Sequence, residues 1–136
     1  MSAPAPTLWG MATAHGTFEV SIDVAEHDQP GIGLMTLTKT WHGDLSGQGV
    51  GTMLSAGDPA SGRAGYVALE IVEGELAGRR GGFAFQQFGT MRAPDQELRY
   101  EIVPGSGTGD LTEIGGTLSL DVVGGEHRYT LTYTLD

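Results

Sequence analysis

In GTFEVSIDV, residues 16–24, Phe18, Val20, Ile22 and Val24 alternate with Thr17, Glu19, Ser21 and Asp23. A period of two is what a strand with one buried face requires. RYTLTYTLD, residues 128–136, repeats it, with Tyr129, Leu131, Tyr133 and Leu135 against Arg128, Thr130, Thr132 and Thr134. Between these two strands the pattern predicts six more, at about 33–42, 46–54, 64–76, 82–91, 97–103 and 116–123, each bounded by glycine, aspartate or proline. No helical period of useful length occurs, and the 23 glycines spread along the chain would each weaken a helix by about 1 kcal/mol.

Eight strands on short turns, with no helix to cover a flat sheet, are most simply stabilised by closing on themselves. The fold class expected is all-β, an eight-stranded antiparallel closed barrel over residues 12–136, preceded by a loose arm at 1–11 whose order depends on docking of Leu8 and Trp9. Two segments break the alternation. YVALEIV, residues 66–72, is apolar on both phases, and in FAFQQF, residues 83–88, Phe83 and Phe85 oppose Ala84 and Phe88. A strand apolar on both faces is usually covered on its outer side as well. The cover expected is either a subunit interface, making the protein a homo-oligomer, or the arm carrying Trp9.

The length of 136 residues suits one domain. The chain has no cysteine, which excludes disulfides, thiol catalysis and cysteine-ligated metal. Seven Lys and Arg stand against 17 Asp and Glu, a net charge of −10, which disfavours nucleic acid and anionic membranes as partners. No stretch approaches the roughly 18 apolar residues of a membrane helix, and MSAPAPTLWGMATAHG does not read as a signal peptide, so a cytoplasmic location is the default expectation.

VPGSGTGDLTEIGGTLSL, residues 103–120, invites a phosphate-loop reading, which its residues refuse. It contains no lysine, Asp110 and Glu113 would repel a phosphate, and Leu118, Leu120 and Val122 then alternate as a strand. Its glycines fit a tight barrel corner. Together with TKTWHGDLSGQGVG (38–51), LEIVEGELAGRRGGFAFQQFGT (69–90) and the final YTLTYTL, it resembles a bacterial family of small proteins known as a domain of unknown function. That family is similar in fold to allene oxide cyclase. The resemblance runs from about residue 12 to 135.

Allene oxide cyclase holds a fatty-acid epoxide inside its barrel and steers ring closure by conformational control. The resemblance therefore implies a barrel suited to a small hydrophobic or amphipathic molecule, with cyclase or isomerase activity as an alternative. The cyclase's first-strand glutamate does not carry over, because Glu19 and Asp23 both lie on the polar phase. Where the family tends to show a histidine, this chain has Gln87.

The polar candidates start with Glu70, the one acid inside a long apolar run, sharing a phase with Tyr66, Ala68 and Val72. Lys39, on a phase with Met35, Leu37 and Trp41, is its candidate cation, and Gln87 shares a phase with Phe83 and Phe85. Glu70, Lys39, Gln87, Tyr66, Trp41 and Phe85 are thus the expected lining of a barrel interior, where a carboxylate stays charged only if it is paired. A structural ion pair and a functional carboxylate are both open readings of Glu70. The four histidines lack metal-ligand spacing, so neither a metal nor another cofactor is expected. Ser106 lies in a turn, not in a nucleophile elbow. Arg79 and Arg80 sit at a hairpin tip, where they are solvated or greet an anionic headgroup. Three functions follow: a barrel that binds a small hydrophobic ligand, a cyclase or isomerase, and a packed structural barrel with no ligand.

Overall fold

The structure is a computed structural model and describes residues 10–135. The alternating segments form long strands: β1 (Met11–Ala25), β2 (Gly33–Gly43), β3 (Leu45–Asp58), β4 (Arg63–Leu76), β5 (Arg79–Arg92), β6 (Asp95–Ile102), β7 (Thr108–Gly109), β8 (Gly115–Val123) and β9 (Glu126–Thr134). The eight expected strands are all present. The two-residue β7 is additional, and a single 3-10 turn, Pro59–Ser61, lies between β3 and β4.

All neighbours pair antiparallel in the order β1-β2-β3-β4-β5-β6-β8-β9, and β9 returns to β1, so the barrel closes. The seam between β6 and β8 is its weakest, held in register by Glu101 opposite Thr117. Following the ladder once round from Ile22, through Leu37, Gly51, Glu70, Phe85, Ile102, Gly116 and Tyr133, returns to β1 at Ala12, ten residues lower. A stagger of that size tilts the strands by roughly 40°. It brings side chains far apart in register face to face across the axis.

One end is closed. The Tyr129 hydroxyl on β9 accepts from the Leu45 N–H and has its single proton shared between the carbonyls of His42 at 2.9 Å and Leu45 at 3.1 Å, which ties the β2–β3 turn across the barrel end. The glycine-rich connection after β6 completes the lid by burying Leu111 and Ile114. Gly105 and Gly109 adopt φ of 80° and 61°, which a side chain rarely tolerates. The Ser106 hydroxyl accepts from the Ala84 N–H, and that of Thr108 accepts from the Gly82 N–H. The stretch that resembled a phosphate cradle is a cap built on β5.

The other end is open. Inward-phase residues there remain exposed: Ile22 by 50%, Leu98 by 40% and Val122 by 61%. On the outer wall the second apolar phase is also exposed, at Val67, Leu69, Ile71 and Phe88. Trp9, the alternative cover for that wall, lies outside the described residues.

Candidate functional site: a buried lysine and the open end

Lys39 is the only lysine in the chain, and it lies 5% exposed at the centre of the barrel. The six cations on strands and turns elsewhere are arginines. Alternation places Lys39 on the inner face of β2, between Leu37 and Trp41, and Glu70 on the inner face of β4. Their cross-strand partners on β3 are Gly49 and Gly51, and Gly47 completes a wall without side chains. A Cβ on Gly49 would collide with the Glu70 carboxylate, so the glycine creates the space that the charge occupies.

Within that space Lys39 Nζ donates to Glu70 Oε1 at 2.8 Å and to the Tyr100 hydroxyl oxygen at 2.6 Å. Tyr100 donates in turn to Glu70 Oε1 at 3.3 Å, and Trp41 Nε1 donates to Glu70 Oε2 at 2.9 Å. Glu70 is wholly buried, and no buried side-chain nitrogen or oxygen among the described residues lacks a partner. The ammonium also faces rings, 4.6 Å from the centroid of Phe18 and 5.0 Å from that of Tyr100. Such contacts favour a cation that water cannot reach. Phe85 packs on Trp41 at 5.5 Å and edge-on to Tyr100 at 4.9 Å, so the interior at this level is filled.

All six candidate residues project from the inner wall, in two groups. Lys39, Glu70, Trp41 and Phe85 form the buried cluster. Gln87 does not join it, being one residue pair nearer the open end, where its amide oxygen accepts from the Tyr66 hydroxyl at 3.2 Å. Tyr100 and Phe18 belong to the cluster although neither was among the candidate lining residues, Phe18 being read only as a member of the buried phase of the first strand. The signal for Tyr100 was the phase it shares with Leu98 and Ile102 on β6. Glu19 and Asp23 are exposed, and Glu19 accepts from or pairs with His42 at 2.6 Å on the outer wall. Among the described residues no group of three or more His, Asp and Glu is placed to hold a metal ion.

Burial lowers the pKa of the Lys39 ammonium below the ordinary lysine value, although the Glu70 charge and hydrogen bond pull it back up. Burial raises the Tyr100 pKa well above the ordinary tyrosine value, with the neighbouring Glu70 charge adding to it, and also raises those of Tyr66 and Tyr129. The unfolded chain thus holds the Lys39 proton more tightly than the folded protein, so this group makes stability rise with pH between its depressed folded value and the ordinary one. The tyrosines act oppositely. Above about pH 10 they ionise in the unfolded chain first, and each removes up to about 1.4 kcal/mol of stability per pH unit. Urea unfolding across alkaline pH is expected to show the rise and then the fall in the wild type, and only the fall in Lys39→Met. A rise that survives in K39M assigns it to another group.

A family model described as "Protein of unknown function (DUF3224)" matches residues 14–133. Among solved structures the chain is similar to a protein with unknown function from the same family, from Shewanella oneidensis MR-1. The two are 38% identical with a TM-score of 0.84, over 93% of this chain and 98% of that one. No curated protein matches the chain. The family model spans most of the chain and the solved relative matches it over nearly its whole length, and the chain belongs to the DUF3224 family.

Proposed function

We propose that the protein is a binding barrel whose open end receives a small amphipathic molecule. The observation that carries this reading is the exposure of apolar residues on the inward phase at that end: Ile22, Leu98 and Val122. A soluble barrel gains nothing from leaving its inner wall apolar and wet unless something covers it. Met35 and Met53, direct cross-strand partners, and Met91 line the same opening. Methionines suit a surface that adapts to its occupant. The Tyr66 hydrogen bond uses only the amide oxygen of Gln87, which leaves its NH2 to meet an acceptor oxygen on the ligand. The ligand class is therefore an apolar body carrying a carbonyl, carboxylate or hydroxyl head, seated above the lysine cluster rather than within it.

A second reading, a packed barrel without ligand, draws on the cluster itself, whose buried polar atoms are all partnered and whose rings fill the centre. Titration with the fluorescent probe anilinonaphthalene sulfonate separates the two. Saturable binding is expected in the wild type, weakened about tenfold or more, some 1.4 kcal/mol, by Met53→Glu, and not weakened by Leu69→Asp on the outer wall. Absence of saturable binding, or loss in L69D but not in M53E, overturns the open-end site.

A further inference from the structure

The outer wall of β2–β5 carries a block of twelve outward positions with no charged residue. In register across the four strands the rows read Thr38, Val50, Ile71, Ala84; then Thr36, Thr52, Leu69, Gln86; then Leu34, Leu54, Val67, Phe88. Charged residues make up 18% of this chain, and they resume on every side of the block: Glu19 and Asp23 on β1, Arg99 and Glu101 on β6, Glu73 further along β4 and Arg63 at its start. Most of the large apolar members stand in solvent, with Val50 62%, Leu69 58%, Ile71 54% and Phe88 51% exposed, while Ala84 at one corner is buried. A shallow groove of about 520 Å³ runs over the same wall, edged by Leu54, Val67, Leu69 and Phe88 and reaching Arg99 and Glu101.

We propose that this face is where a second copy of the chain docks, forming a two-fold dimer. Strand spacing of ~4.8 Å and a rise of ~6.8 Å per outward residue give the block roughly 400 Å² of sheet plane. Two thirds of its positions are apolar, and its extent is that of the largest patch on a typical monomer, which is often functional. With its side chains standing proud and the rim of Thr40, Gln48, Arg99 and Glu101 added, it approaches the ~800 Å² per partner of a standard interface. A small molecule in the groove would leave most of the block wet. Charge selects the occupant: two copies each carrying −10 repel wherever their acidic surfaces meet, and this uncharged wall is where they approach without burying a like-charged pair. A two-fold contact places the same patch on both sides, so the neutrality of one face guarantees that of its partner.

Sedimentation velocity from low to high micromolar concentration tests the proposal. The wild type is expected at twice the 14.2 kDa chain mass, and Leu69→Asp, at the centre of the block, at the chain mass with unchanged circular dichroism. Thr52→Asp begins from a polar outward side chain and provides the same test should L69D fail to fold. Ser119→Asp, exposed on β8 away from the block, is expected to remain dimeric. A monomeric wild type at high micromolar concentration, a mass above the dimer, or a dimer that both L69D and T52D leave intact overturns the proposal.

Discussion

Replacing Glu70 by glutamine is expected to remove about 3–5 kcal/mol of stability, seen as a fall of roughly 10–20 °C in Tm. The substitution keeps the shape of the side chain and the acceptor for Trp41 Nε1. It leaves the Lys39 ammonium 5% exposed with no counter-charge, facing only the Tyr100 oxygen and the surrounding rings. Lys39→Met is expected to cost a similar amount for the mirror reason, a carboxylate held by Trp41 and Tyr100 without a cation. The double variant K39M/E70Q buries no net charge, and desolvation is no longer opposed by anything that has been taken away. It should therefore be more stable than either single variant, because a buried pair contributes little net while breaking it costs much. Additive losses in this double-mutant cycle would show that Lys39 and Glu70 do not act as a pair.

Gly49→Ala is expected to cost about 2–4 kcal/mol, far more than a glycine-to-alanine change on an open strand. The new Cβ falls on the Glu70 carboxylate, which must leave Trp41 Nε1 or Lys39 Nζ to make room. Made in a Glu70→Ala background, the same change should cost much less, because the colliding group is gone. A cost equal in both backgrounds would trace the effect to the β3 backbone. Gly51 provides a contrast: its Cβ would meet the Leu69 carbonyl on β4, so truncating Glu70 should bring no comparable relief there.

Period two identified the eight strands because each has one face in the core, and a one-residue error would turn every side chain over. The same rule placed Lys39 and Trp41 on the inner wall, whereas Glu70 and Phe85 lie in the two segments that are apolar on both phases, where only the closed barrel decides the facing. The rule could not place Gln87 relative to Glu70, because register and tilt decide which inward residues meet across a barrel, and these arise only on closure. Gln87 faces Ala68 across the β4–β5 ladder, and the stagger brings Tyr100 to Lys39 in its stead. The alternating glycines of GQGVG, residues 47–51, entered the sequence reading only as part of the family resemblance. Their meaning depended on knowing that a carboxylate lies over them. The lid was legible only as an irregular corner, since Leu111 and Ile114 are buried by a connection with no repeat to betray its direction.

Confining the only lysine to the interior gives the folded molecule an unusual chemical signature. Reagents that acylate or reductively alkylate side-chain amines find no target on its described exterior, and Lys39 becomes available when the barrel opens. The rate at which a small acylating ester modifies Lys39 thus becomes a clock for opening, readable as the loss of tryptic cleavage after Lys39, which joins the peptide ending there to the one ending at Arg63. Under native conditions the rate divided by that of a free lysine peptide gives the population of the open form. The barrel carries its own probe of unfolding at its centre, tied through Tyr100 to the strand that borders its weakest seam.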